Sequence, residues 1–259
     1  MNEQELINYY NKFNEDKRLK TKHGRVEYLT AMKYIHDYLK DFKNPKILDL
    51  GAGTGAYAIP LADEGYDVTA VELVKHNLKV IEKRSDKVNC ILGNATNLSK
   101  FVDNTFDIVL VFGPMYHLIT KSEKIKCLKE VDRVTKKDGI VLISYCMNEY
   151  ALLTYGFKEN HIKEVWNDKK VDKDFHIISD NHDLYSFVRL EDINELSTNT
   201  CLIRIKQVSQ DGPTEYYKKV INKMDDETFQ LFLEYHFNTC ERPELLGSSR
   251  HVLDILKKS

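Results

Sequence analysis

Three features of this 259-residue sequence predict an α/β fold, a mostly parallel sheet wound with helices on both faces. Between Lys46 and Cys146, short apolar strand-like runs alternate with helix-length amphipathic segments. The first run, Lys46-Ile-Leu-Asp-Leu50, passes directly into Gly51-Ala-Gly-Thr-Gly55, where glycine lets the backbone bend tightly and approach a ligand. Phe106 to Phe112 is almost continuously apolar, as expected of an inner strand covered on both faces.

The elements follow in order. Residues 3 to 13 carry Leu6, Ile7, Tyr10 and Phe13 at helical spacing, and a charged connector runs to Lys22. Val26, Leu29, Met32, Ile35 and Leu39 predict an amphipathic helix over Gly24 to Phe42, ending before Asn44-Pro45, with Arg25 and His36 as solvated or capping residues. After the first strand and its glycine turn, a helix is expected over Tyr57 to Glu64 with Gly65 as its stop. The strand Asp67 to Val71 ends on Glu72, a helix runs from Leu73 to Ser85, and Val88 to Leu92 makes a third strand before the turn Gly93 to Thr96. Beyond the 106–112 strand, a helix over Ser122 to Val134 and a strand over Ile140 to Cys146 complete a fifth crossover. Asn148 to Trp166 predicts one or two helices rich in aromatic residues, and Tyr185 to Val188 a short strand. A helix over Leu190 to Leu196, a strand over Cys201 to Val208 and a turn at Asp211-Gly-Pro213 come next. Two helices, Thr214 to Met224 and Asp226 to Thr239, then precede a last strand at His251 to Lys257.

Composition narrows the function. A length of 259 residues suits one large domain or a domain with an elaborated lid, and hydrophobic residues at 42% with charged residues at 30% describe an ordinary soluble protein. The 38 basic and 40 acidic residues give a net charge of -2, which argues against a nucleic-acid partner. Five scattered cysteines without paired spacing read as reduced, mostly buried thiols. The polar N-terminus shows no signal-peptide core, and no run is long enough to span a bilayer, so a cytoplasmic location without membrane partners is expected. His176, Asp180, His182 and Asp183 lie near one another in sequence, but no ligand spacing joins them and no metal is expected.

The glycine turn admits two cofactor readings. Gly51-x-Gly53-x-x-Ala56, with Glu72 about 20 residues on, satisfies a loose dinucleotide pattern. Asp49 before a tighter G-x-G-x-G, and a second strand ending on an acidic residue, shift the balance away from the dinucleotide reading. At these residues the sequence resembles the class I S-adenosylmethionine (SAM)-dependent methyltransferases, whose first motif is hydrophobic-hydrophobic-[DE]-hydrophobic-G-x-G-x-G. The resemblance is firmest over residues 46 to 146. It implies a Rossmann-like sheet of seven strands with helices on both faces, the seventh antiparallel beside the sixth, and a partly helical cap built from insertions.

The resemblance also implies roles. Asp49 would fix turn N–H groups and favour the methionyl ammonium, and Glu72 would accept both ribose hydroxyls. Gly51, Ala52, Gly53 and Leu73 would line the cofactor, Asn94 and Ala95 would border adenine, and Phe112 and Gly113 the methionine side. The family has an acidic residue where this chain has Asn94, which could meet the adenine amine through its amide oxygen. Tyr10 resembles the tyrosine of an N-terminal lid. Arg133-Val-Thr-Lys-Lys-Asp-Gly139 resembles the family's R-V-L-K-P-G-G turn, with Lys137 and Asp138 replacing its proline and first glycine.

Gly113-Pro-Met-Tyr-His-Leu118 resembles the family's segment that faces the methyl group. Nucleobase amino-methyltransferases carry [DN]-P-P-[YF] there, and Gly113 offers no such acceptor, so a non-nucleobase substrate is favoured. Tyr116 supplies an aromatic face and His117 a candidate general base. Arg242, Glu244 and Arg250 are candidates for reaching an acceptor carboxylate or amine. The expected organisation is a helical segment and lid over 1–45, a cofactor-binding core over 46–146, a cap insertion over 147–189, and a return to the core over 190–259 with a helical insertion at 213–247. The expected activity is methyl transfer to a nitrogen or oxygen of a small molecule. Methylation of RNA or protein, and a SAM-binding sensor without transferase activity, stand as alternatives; the oligomeric state is left open.

Overall fold

The computed structural model describes residues 18–259; the expected helix at 3–13, and Tyr10 with it, lie outside the described residues. Seven strands form one sheet in the order β3-β2-β1-β4-β5-β7-β6. They are β1 (Lys46–Leu50), β2 (Asp67–Glu72), β3 (Asn89–Leu92), β4 (Phe106–Val111), β5 (Thr135–Cys146), β6 (Leu202–Ser209) and β7 (His251–Lys258). Strands β1 to β5 are mutually parallel, and β7 is antiparallel to both β5 and β6. The chain order reverses at β1 and β4, so the carboxyl ends of these two strands form the crevice where this topology binds ligands.

Helices cover both faces because successive strand residues point to opposite sides. Ile47, Ala70, Ile108, Leu110 and Leu142 share one core with helices α1 (Lys22–Leu39), α2 (Ala58–Asp63) and α3 (Lys75–Arg84). Leu48, Leu50, Val109, Val111 and Val141 face the other way. They pack below α4 (Pro114–His117) and α5 (Lys121–Val134), and Leu196 of α8 (Leu190–Ser197) joins the same core. Thr120 and Glu123 cap α5 reciprocally, the Thr120 side chain accepting from the Glu123 N–H while the Glu123 carboxylate accepts from the Thr120 N–H.

The insertions sit over the carboxyl ends. The first contains α6 (Asn148–Ala151), a π-helical stretch (Leu152–Lys158) and α7 (Ile162–Asn167). The second contains α9 (Lys218–Ile221), α10 (Asp226–Thr239) and α11 (Pro243–Leu246). Ile221, Phe229 and Leu233 of α9 and α10 pack on Val26 of α1, which ties this insertion to the body.

Two local expectations are corrected. Residues 185–188 form no strand; Val188 makes a single bridge to Met147, because its N–H reaches the Cys146 carbonyl at 3.0 Å where β5 ends. Strand β5 begins at Thr135, which pairs with Phe106 before a shift in register carries the chain to the Ile108–Ile140 pair. Asp138, at φ +64°, lies within that excursion. Cys127, Cys146 and Cys240 are buried as expected, Cys90 is half-buried, and Cys201 is exposed. Among the described residues, no helix is long and apolar enough to cross a membrane.

Candidate active site

The glycine turn is built by the two strands it joins. Gly51 and Ala52 both donate to the Val71 carbonyl, at 2.8 and 3.2 Å. Gly51 has φ +77°, and a Cβ there would stand 2.7 Å from the Pro114 ring, so glycine admits both the turn and the close approach of α4. Glu72, buried at the end of β2, accepts from the N–H of Gly53 and of Val74, each at 2.8 Å. This carboxylate, which also accepts from the Asn77 side chain and the Leu73 N–H, therefore holds the turn in shape.

Asp49 is buried at the end of β1. One part of its carboxyl accepts from the Ala58 N–H, while Oδ2 has no partner among the described residues. Burial, reinforced by the neighbouring charge of Glu72, pushes its pKa up to about 7. The hydroxyl of Tyr57, a residue that also lines the cavity, is likewise without a partner among the described residues. A buried acidic oxygen without a donor calls for a cationic or N–H-bearing group.

Asp49, Gly51, Ala52, Gly53, Glu72, Leu73, Asn94, Ala95, Phe112, Gly113, Tyr116 and His117 all line one cavity of about 310 Å³. Two of the expected contacts take a different form. Asn94 Oδ1 accepts from both the N–H and the hydroxyl of Thr96, each at 2.9 Å, so its lone pairs are engaged and only its amide donors remain to offer a ligand. The Tyr116 hydroxyl donates to the Phe112 carbonyl, which fixes the ring as a wall. Rings of His117, Tyr185 and His251 lie 4.9, 5.9 and 6.0 Å from it. His117 Nδ1 donates to the Leu184 carbonyl at 2.9 Å, and burial lowers its pKa to about 4, so the imidazole is neutral at physiological pH.

Beyond this wall lies a cluster that sequence reasoning did not find. Arg18 makes two bonds to Glu27, at 2.5 and 2.9 Å. His251 Nδ1 lies 2.8 Å from Asp211 Oδ2 and 3.5 Å from Glu27 Oε2, while Ser249 and the His251 N–H donate to Asp211 Oδ1. Burial opposes the charge on His251, yet Glu27 and Asp211 hold it well above the ordinary histidine range, so it is an imidazolium. Among the described residues Glu27, Asp211 and His251 also form the one group whose ligand atoms come within 4.8 Å of one another. Their acceptors are already matched by the Arg18 guanidinium and by N–H and O–H donors. The signal available in sequence was Glu27 itself, which shares the buried face of α1 with Thr30, Ala31 and Tyr34 at helical spacing. Of the three loop candidates, Arg250 lines the cavity, whereas Arg242 and Glu244 pair with each other on the surface.

Residues 48–143 match the methyltransferase domain family. The chain is 40% identical over 99 residues to a demethylmenaquinone methyltransferase of Paenarthrobacter aurescens, covering 38% of each chain. It is 37% identical over 111 residues to the enzyme of that name from Renibacterium salmoninarum, covering 43% of this chain and 44% of that one. It thus spans about two-fifths of the length of these two relatives. A ubiquinone biosynthesis O-methyltransferase of Rickettsia typhi is 27% identical over 206 residues, covering 78% of this chain and 76% of that one. Among solved structures, a Thermotoga maritima SAM-dependent methyltransferase, described as a possible histamine N-methyltransferase, superposes with a TM-score of 0.63 at 18% identity, covering 100% of both chains. That likeness concerns the fold.

Proposed function

The chain belongs to the class I SAM-dependent methyltransferase superfamily, and on that premise we propose that it transfers a methyl group from SAM to a small-molecule acceptor. The observation that carries this reading is the cavity itself. It runs without interruption from the glycine turn, with its unmatched Asp49 oxygen, to the aromatic and charged side chains of Tyr116, Tyr185, Arg250 and His251.

In this reading Asp49 binds the methionyl ammonium and Glu72 the ribose hydroxyls. Leu73, Asn94 and Ala95 border the base, and Ala52, Phe112 and Gly113 the methionine chain. When bound, SAM supplies a methyl group already activated by its sulfonium. The protein's task is alignment and exclusion of water, which accounts for much of the acceleration of such displacements. Tyr116 forms one wall of the reacting centre. His117, neutral and fixed through Nδ1, orients the acceptor's N–H or O–H. Residues 147–189 and 213–247 act as the acceptor cap over the 46–146 core. A cytoplasmic enzyme acting on a soluble metabolite fits the balanced charge.

The test is to incubate the purified chain with methyl-tritiated SAM and a desalted-and-recombined cell extract, then separate small molecules, RNA and protein. Label in the small-molecule fraction that depends on the enzyme supports the proposal. Label in RNA or protein overturns the acceptor class, and tight SAM binding with no transfer to any fraction supports a sensor.

A further inference from the structure

Arg250 immediately precedes β7, at the cavity end opposite the glycine turn. In the sheet order β1-β4-β5-β7 it stands three strand spacings from β1, roughly 14 Å at about 4.8 Å per strand. Its guanidinium lies over the ring of Tyr150, 5.4 Å from the centroid, and its Nε is buried with no hydrogen-bond partner among the described residues.

The neighbouring ion pairs show why Arg250 stands apart. Arg18 and Glu27 satisfy each other through two bonds, and His251 is matched by Asp211. Glu215, the remaining carboxylate here, is engaged by Lys218 at 2.7 Å, with His23 at 3.7 Å, and meets Arg250 only at 3.4 Å through Nη1. Of the five N–H donors of Arg250, that one long contact is the hydrogen bond found among the described residues. Withdrawing a guanidinium from bulk water without matching its donors is unfavourable, and a planar oxyanion is the partner that its fork fits. The imidazolium of His251, next in the chain, lines the same cavity.

We propose that Arg250, backed by Tyr150 and flanked by His251, is a carboxylate-binding subsite for the methyl acceptor, so that the substrate is a small organic acid. This inference rests on the methyltransferase reading and specifies its acceptor. The same chemistry could come from the donor's own carboxylate, but the three-strand distance from Asp49 and the glycine turn assigns it to the acceptor.

The experiment uses the full chain, its Arg250→Gln variant, and Arg250→Lys as a variant that keeps the charge. Calorimetry first compares S-adenosylhomocysteine with methylthioadenosine, which lacks the amino-acid chain. No binding of either by the wild-type protein would sink the methyltransferase reading itself. With S-adenosylhomocysteine bound, saturation-transfer NMR then compares formate, acetate and benzoate with their amides at matched ionic strength. The proposal expects the acids to bind in preference to the amides. It expects Arg250→Gln to weaken them about tenfold or more and Arg250→Lys to weaken them less, with affinity for S-adenosylhomocysteine unchanged. Equal binding of acids and amides, or an acid preference that survives Arg250→Gln, overturns it. A loss of S-adenosylhomocysteine affinity in Arg250→Gln, with methylthioadenosine unaffected, overturns it in favour of the donor carboxylate. If Arg250→Gln fails to fold, acid binding by Arg250→Lys equal to wild type is the overturning result.

Discussion

Asp49 links the cavity's electrostatics to ligand affinity in a form that pH alone can read. Its carboxyl is buried, one oxygen lacks a donor among the described residues, and its pKa stands near 7 against an ordinary 3.8. A ligand ammonium beside it favours the ionised form and draws that pKa down, so binding at acid pH must first expel a proton. With a pKa near 7 in the unliganded protein and below 5 in the complex, the apparent Kd for S-adenosylhomocysteine should weaken about 100-fold from pH 8 to pH 5, or roughly 3 kcal/mol. The ligand's own amine and carboxyl keep their charges across that range. Calorimetry in two buffers of different ionisation heat measures both the affinity and the proton released. Asp49→Asn should bind at pH 8 as weakly as the wild-type protein does at pH 5 and show no dependence between. The sign reverses for the unliganded fold. Because its pKa is raised, ionised Asp49 costs stability as pH rises from about 4 through 7, so Asp49→Asn should melt higher than wild type at pH 8 but not at pH 4. A flat wild-type profile, or an Asn variant equal to wild type at pH 8, would refute the role of this carboxylate.

Three further outcomes follow from the geometry. Gly51→Ala places a Cβ against Pro114 at a positive φ; it should cost about 2 kcal/mol or more and weaken S-adenosylhomocysteine binding at least tenfold, and near-wild-type melting and binding would contradict the described turn. Arg204 makes two bonds to the buried Asp254 of β7, at 2.5 and 2.9 Å, and Arg204→Leu should cost roughly 3 kcal/mol, a Tm drop of about 6 to 12 °C by thermal melting. A drop under about 2 °C would mean that Asp254 finds another partner or a proton. In an NMR titration the His117 ring should change protonation near pH 4, and a midpoint at 6 to 7 would show that it is neither buried nor bound as described.

The sheet was legible in the sequence because buried parallel strands are written as continuous apolar runs: β2 and β4 fall within a residue of where those runs place them. The glycine turn was legible for a similarly local reason, since Gly51, Gly53 and Gly55 all adopt positive φ within five residues of one another. What the sequence hid is non-local. Glu27 comes from α1, Asp211 from the turn after β6, and His251 from the start of β7, and only the antiparallel return of β7 beside β5 brings them together. Arg250 was visible as a candidate, but nothing in its surroundings distinguished it from Arg242, which is exposed and paired with Glu244. The false strand at 185–188 had the right residue types; its backbone is instead held by one bond from Ser186 to Tyr116 and by the isolated bridge in which Val188 donates to Cys146 and accepts from Asn148, and Tyr185 lines the cavity.

The central claim, that this cavity is built for SAM rather than a dinucleotide, is tested most directly by calorimetric titration of the wild-type chain and Glu72→Ala with SAM, S-adenosylhomocysteine and NAD. Binding of SAM and S-adenosylhomocysteine, weakened at least about tenfold by Glu72→Ala through loss of the ribose acceptor and of the Gly53 and Val74 anchors, with no NAD binding, is the result expected. Binding of NAD without either adenosyl ligand would contradict the account.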